Sequence, residues 1–314
     1  MIACACALSL TGIALAGNGG LLPPVPHSPN AHRIKDAYLF VLAFTGIVFL
    51  IVEGVLVAFV VKYRRGKRAR DVEGPQIHGS TRLEILWTVL PVVILAAIGS
   101  FIFVKLPSIT NAPAANAANS TTITVEGRQF YWAFHYPNGA VSIGTMIAPA
   151  GELVNEKVVS SDNDVVHSWW VPELGGKIDA IPGRTNSTWF QAPAGVYSAH
   201  CSDLCGIQHA KMTAVVKVVP RAQYEQFIAT RARESTGLAL GKEEFQHVCE
   251  SCHRLATKYV GPALGDNPLL KDQKGLTTIL HRGVGQMPAV GSDWTKAQIT
   301  ALVNYTITLV KGHS

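Results

Sequence analysis

Two apolar runs dominate this chain. Ala37 to Val61 spans 25 residues with a single charge, Glu53, and Leu83 to Leu106 is interrupted only by Glu84 near its start, Pro91, and Lys105 near its end. About 20 apolar residues, at about 1.5 Å rise each, cross a hydrocarbon core roughly 30 Å thick, so both runs read as membrane-spanning helices. They explain a composition that is 48% hydrophobic and only 15% charged, where about a quarter of residues usually carry charge. That balance excludes a disordered or nucleic-acid-coating protein.

Between the runs, Lys62 to Arg82 holds seven basic residues (Lys62, Arg64, Arg65, Lys67, Arg68, Arg70, Arg82) against Asp71 and Glu73. Most of the formal charge of +6 therefore sits in one loop, which the positive-inside rule assigns to the cytoplasm. The hairpin is expected over residues 35–107, with spans at about 37–61 and 83–106 and both long ends of the chain outside. Residues 1–20 are apolar, end in small residues and resemble a signal-peptide core that lacks a preceding basic residue. The six cysteines form close pairs: Cys4 and Cys6 inside that leader, Cys201 and Cys205, Cys249 and Cys252. Such spacing points to chemistry rather than a disulfide scaffold.

Thr110 to Ser120 is small, polar and tether-like. From Thr121 to Val219, short β-branched or aromatic runs alternate with Gly, Pro, Asn and Asp, the pattern of a β-sandwich or barrel. Within it, His200 to Met212 reads HCSDLCGIQHAKM. Cys201, Cys205, His209 and Met212 place two thiolates, an imidazole and a thioether in one loop, with His167 upstream in DVVHSWWVP. Soft sulfur donors with imidazole favour copper. A blue-copper site has no use for the second cysteine, whereas two thiolates shared between two copper ions use every ligand. A zinc site of two Cys and two His is the structural competitor and leaves Met212 unexplained.

DVVHSWWVPELGGKIDAIPGR followed by CSDLCGIQHAKM resembles the binuclear copper centre of subunit II of haem–copper cytochrome c oxidases, and the hairpin resembles that subunit's membrane anchor. The resemblance covers about residues 35–220 and implies an all-β cupredoxin-like Greek-key domain over 121–220. It also implies that Cys201 and Cys205 bridge the coppers, that His167 and His209 bind one each, and that Met212 and the Asp203 carbonyl are weak ligands. The family carries Glu where this chain has Asp203, and there the carboxylate reaches a magnesium ion at the catalytic-subunit boundary. The shorter Asp leaves that contact open, with a bridging water as one way to complete it. In GRQFYWAFHYPNG, Trp132 is expected at the position that accepts electrons from a donor, with aromatic packing on a sheet as the alternative. Glu84 resembles the acid at the mouth of a proton channel, with a solvated helix-end charge as the alternative.

Cys249, Cys252 and His253 form CxxCH, the attachment signature of c-type haem. The cysteines add to the haem vinyl groups and His253 is the proximal ligand. Met287, in VGQMPAVG, supplies a sixth ligand, and His/Met ligation suits electron transfer. A thioredoxin-like pair is the rival reading of the cysteines. Residues 238–314 resemble an all-α class I cytochrome c, so the whole chain resembles the caa-type oxidases, whose subunit II carries its own cytochrome c.

That resemblance implies an electron-transfer subunit of an oxygen-reducing, proton-pumping enzyme of the bacterial plasma membrane, with its redox domains on the outer face. Oxygen chemistry would lie in another subunit. The implied partners are catalytic subunit I and subunit III, with electrons from a cytochrome c or a quinol-oxidising complex. Residues 121–220 carry six basic against eight acidic side chains and residues 238–314 eight against six, so opposite signs favour docking of the two redox domains. A membrane-anchored copper carrier or oxidase assembly protein is the competing reading; it has no use for the haem site.

Overall fold

The computed structural model describes residues 22–64, 76, 78–114, 119–233, 237–265, 267, 268 and 272–311. The leader 1–20, with Cys4 and Cys6, and most of the basic loop lie outside the described residues. The first apolar run lies within helix α1 (Pro29–Tyr63) and the second within α2 (Thr81–Thr110). Ser28 precedes α1 and Pro29 occupies its first position, where proline's missing N–H costs nothing. Both helices leave their apolar windows uncovered by protein, as side chains meant for lipid should be. Phe40 stacks on Phe101 at 3.9 Å, and Arg33 Nη1 donates to the Ser108 carbonyl.

Residues 110–311 and the segment before Arg33 form a separate compact unit. Its β-sandwich comprises β1 (Ser120–Arg128), β2 (Tyr131–His135), β3 (Val141–Ile143), β4 (Thr145–Pro149), β5 (Leu153–Ser160), β6 (His167–Trp170), β7 (Ile178–Ala180), β8 (Asn186–Phe190), β9 (Gly195–Cys201) and β10 (Thr213–Val219). One sheet runs β3-β2-β1-β5-β8 and the other β4-β10-β9-β6-β7, with β1·β5 and β4·β10 parallel. Trp132, Phe134, Trp169, Met146 and Val216 fill the space between them.

Helix α3 (Arg221–Arg233) leads to α4 (Leu238–Glu244), a wide turn at Phe245–Cys249, α5 (Gln273–Arg282) and α6 (Lys296–Lys311). The α4 and α6 helices cross closely: a Cβ on Gly241 would lie 2.0 Å from the Ala301 carbonyl oxygen, so only glycine fits. Strand β2 is buried on both faces. Trp132 and Phe134 turn into the sandwich, while Tyr131 and Ala133, with Ile143 of β3, join Leu240, Phe245, Val248 and Trp294 in the helical core. The outer face of this sheet is thus covered at β2 and β3 by the chain's own helices.

Candidate metal centre and haem site

The copper-ligand loop connects β9 to β10. Cys201 ends β9, His209 opens a single tight turn (His209–Lys211), and Met212 immediately precedes β10, fully buried. His167, also fully buried, opens β6 on the neighbouring strand. Folding brings all the predicted ligands together. Cys201 and Cys205 Sγ are 3.8 Å apart, both free thiols, and the ligand atoms of His167, Cys201 and Cys205 lie within 4.8 Å of one another. Cys205 Sγ lies 3.7 Å from His209 Nδ1 and 3.7 Å from Met212 Sδ, and the Asp203 carbonyl oxygen is 3.2 Å from Cys201 Sγ.

The protonation pattern suits a metal. The hydrogen bond shared between the two sulfurs, aided by His167, carries Cys201 far below the ordinary thiol range, while the same contact and burial push Cys205 up. Burial opposes a charge on His167, but the hydrogen-bonded Asp164 carboxylate and the electrostatic pull of the neighbouring Cys201 sulfur outweigh it and raise its pKa. Asp164 Oδ1 sits 3.2 Å from His167 Nε2, whereas Nδ1 is buried with no hydrogen-bond partner among the described residues. An orphaned imidazole nitrogen facing two sulfurs, with a carboxylate behind the ring, is the arrangement of a ligating histidine. The donor set fits copper: soft sulfurs, imidazoles and a thioether enclosed together.

Three contributors had no signal in the sequence motif. A Cβ on Gly127 would stand 3.1 Å from His167 Cβ and 3.0 Å from Trp132 Cζ3, so this glycine admits the histidine. Asp164 orients His167. Gln129 ties β1 to the loop, its Nε2 donating to the Cys205 carbonyl at 2.9 Å and its backbone N–H to Asp164 at 3.0 Å.

The expectation for Trp132 needs correction. Its side chain is fully buried in the sandwich, 4.9 Å from Trp169 and 6.1 Å from His167 between ring centroids, so it presents no surface to a donor. The strand's alternation turns Tyr131 and Ala133 the other way, while Phe130 shares the sandwich core with Trp132. Phe130 contacts the copper loop, where a Cβ on Gly206 would lie 3.0 Å from its ring, and Tyr131 faces the helices. Asp203 is exposed, and Glu84 lies in the exposed first turn of α2.

In the helical region, Cys249 closes the wide turn, and the His253 N–H bonds to the Cys249 carbonyl at 2.9 Å. His253 is buried, and its Nδ1 donates to the Pro262 carbonyl at 2.8 Å. That bond fixes the ring and leaves Nε2 as the nitrogen that could ligate an iron. A Cβ on Gly261 would fall 2.4 Å from His253 Cε1, which explains the Gly-Pro pair. Burial, with Glu244 and Glu250 nearby, pushes the Cys249 thiol up to about 12. Met287 is held by a bridge to Val284 and packs on the same core as Cys249. A Cys-x-x-Cys-His segment with an anchored histidine, and a thioether that packs on the same core as Cys249, fit a covalently attached haem.

Sulfur ligands enclosed in a β-sandwich and a CxxCH segment with a fixed histidine, behind a two-helix anchor, define a membrane-anchored electron-transfer protein. Family profiles match three segments: "Cytochrome C oxidase subunit II, transmembrane domain" over residues 17–104, "Cytochrome C oxidase subunit II, periplasmic domain" over 144–219, and "Cytochrome C oxidase, cbb3-type, subunit III" over 237–305. The chain is 33% identical over 262 residues to cytochrome c oxidase subunit 2 of Alkalihalophilus pseudofirmus, covering 78% of this chain and 73% of that one. It is 31% identical over 261 residues to the subunit 2 of Cereibacter sphaeroides, covering 70% and 82%. A crystal structure of the periplasmic domain of subunit II of cytochrome oxidase from Bradyrhizobium japonicum is 30% identical over 39% of this chain and 98% of that one, with a TM-score of 0.36. The chain belongs to the cytochrome c oxidase subunit 2 family and is a subunit of a haem–copper oxidase.

Proposed function

We propose that this subunit is of the caa type: its haem domain (residues 238–314) receives electrons and its copper domain (residues 121–220) passes them to the oxygen-reducing catalytic subunit. The observation that carries the reading is the cluster of Cys201, Cys205, His167, His209 and Met212 with the Asp203 carbonyl. Cys201 and Cys205 would bridge two coppers, the histidines would bind one each, and Met212 and the carbonyl would be the weak ligands. Cys249 and Cys252 would hold the haem, with His253 and Met287 as axial ligands. When bound, these groups each take up and release single electrons, and the chain's residues set their positions.

The two redox domains are held by specific contacts. Tyr131 Oη donates to the Val290 carbonyl and accepts from Trp294 Nε1, each at 2.8 Å. Arg128, buried, bridges Glu126 at 2.6 Å and Asp293 at 2.9 Å, and Ser161 Oγ donates to the same Asp293 carboxylate. On the other side Ile143 N–H donates to Glu243 Oε2 at 3.1 Å, and Arg231 pairs with that carboxylate. Phe130 and Lys211 from the copper domain share one cavity of about 380 Å³ with Glu250 and Ser251, which lie between the haem cysteines. This juxtaposition supports internal transfer past Phe130 and Tyr131. Opposite net charges add only a weak, salt-screened attraction.

The hairpin would run with loop 62–82 in the cytoplasm and the redox domains outside. Subunits I and III are the expected partners, magnesium the expected ion near Asp203, and Glu84 the expected proton-channel acid. A cytochrome c or a quinol-oxidising complex would be the donor. The test is optical and EPR spectroscopy of the purified chain. A mixed-valence dicopper signal that disappears in Cys201→Ser, beside a low-spin haem c band that remains, is expected. A mononuclear copper or zinc-only centre would overturn the reading.

A further inference from the structure

Glu156 is a carboxyl sealed inside the copper domain with no role in the ligand set. It lies on β5, on the face turned into the sandwich, and is 3% exposed. Trp169 Nε1 donates to its Oε1 at 2.9 Å. Its cross-strand neighbours are Ile123 of β1 and Thr188 of β8, and Val171, Leu174 and Phe190 line the cavity beside it. None of these is titratable, and among the described residues no cation offsets its burial, which raises its pKa to about 8. The cavity, bordered by Gly175 and Gly176, measures about 10 Å³, close to the space one water needs.

Its one hydrogen-bond partner among the described residues, Trp169, leads to the proposed metal ligands. Trp169 is the register partner of Cys201 across β6 and β9, so both side chains emerge on the same face. The Trp169 ring also packs on Trp132, which packs on His167. Glu156 is thus connected through one indole to a bridging thiolate and through two to an imidazole ligand. In this low-dielectric interior a change of one charge at the sulfurs is felt strongly at the carboxyl.

We infer that Glu156 is a proton-bearing positioning residue whose ionisation is linked to the oxidation state of the dicopper centre. In mildly alkaline solution, each electron delivered by the haem domain is accompanied by one proton from solvent. An O–H bond forms at the Glu156 carboxylate, so the added negative charge is neutralised within the domain; oxidation releases both. Reduction raises the affinity of Glu156 for its proton, and a bound proton raises the centre's potential.

The inference rests on the copper reading above, and the experiment separates the two. The dicopper midpoint potential is measured in the detergent-solubilised full chain from pH 6 to 10, in wild type, Glu156→Gln and Glu244→Gln. Gln keeps an acceptor for the Trp169 indole and cannot ionise; Glu244 is a second buried carboxyl with raised pKa, in the haem domain. The wild-type potential should fall as pH rises across about 7–9, the E156Q potential should stay level, and E244Q should follow the wild type. Infrared titration of the copper-free chain should show a carboxyl band lost over the same interval and missing in E156Q. A dicopper signal with equal slopes in wild type and E156Q overturns this inference alone, as does an infrared band that persists in E156Q. Absence of the dicopper signal overturns the copper reading and this inference with it.

Discussion

Replacing Gly261 by Ala tests whether the haem domain is built around a fixed His253. The new methyl carbon would lie 2.4 Å from His253 Cε1, 2.7 Å from Nδ1 and 2.9 Å from Nε2. Carbon atoms in contact sit about 3.5 Å apart, so the ring or the backbone must retreat by about 1 Å. Neither is free to do so. The Gly261 N–H bonds to the Cys252 carbonyl at 2.8 Å, and His253 Nδ1 bonds to Pro262 O at 2.8 Å. A retreat of that size breaks the imidazole's bond, at about 1 kcal/mol. Overpacking adds about 1–3 kcal/mol. For a domain of this size the sum, roughly 2–4 kcal/mol, corresponds to a fall in Tm of roughly 10–30 °C. Calorimetry of the purified chain reads the stability, and the reduced pyridine spectrum reads the haem content. An alanine variant with wild-type Tm and a full complement of low-spin haem would refute the reasoning.

Three further outcomes are expected. Gly127→Ala should shift His167 by a few tenths of an ångström, because the added carbon meets His167 and Trp132 at 3.0–3.2 Å; altered copper hyperfine structure, at a stability cost of about 1–3 kcal/mol, is the readout. Asp293→Asn removes one partner of Arg128 at a half-exposed position, so it should slow haem-to-copper transfer in stopped-flow measurements by roughly 2–5-fold, equivalent to about 0.5–1 kcal/mol. Acid should undock the domains. The Ser161 hydroxyl, helped by Arg128, holds Asp293 below the usual carboxylate range, and His135 and Arg128 outweigh burial to do the same for Glu126. Carboxylates with depressed pKa contribute stability above their unfolded values of about 4, and that contribution disappears as pH falls through the lower folded values. Cross-linking between the domains should therefore weaken below about pH 4; docking that tightens in acid would contradict the assignment.

The clustering of the candidate ligands was legible in the sequence because most of them are contiguous. Cys201, Asp203, Cys205, His209 and Met212 span one strand-to-strand loop, and Cys249, Cys252 and His253 one turn, so spacing alone carries the chemistry. The hairpin was legible because lipid-facing helices are apolar all round. Gly127 and Gln129 were not, because they reach the site across strands, and register cannot be read from motif spacing; Asp164 stands three residues before His167, but spacing does not show which way the ring turns. Trp132 was misjudged for a sharper reason. A strand with one wet face advertises its parity by polar alternation, but FYWAFH is apolar on both faces because each faces a core.

That double burial couples the two redox domains through one shared strand. Moving β2 by one residue would send Trp132 toward the helices and Tyr131 into the sandwich, reversing both cores at once. Tyr131, Ala133 and Ile143 fix the helical region against the sheet, while Trp132 on the opposite face of the same strand packs on His167. The strand that supports the candidate copper ligand His167 is therefore the strand that seats the helical domain. A few tenths of an ångström at β2 would change both sites together, whereas the Arg128–Asp293 pair at the rim can be weakened without moving either. Substitutions in β2 should accordingly perturb copper and haem spectra jointly, and substitutions at the rim should alter only the rate between them.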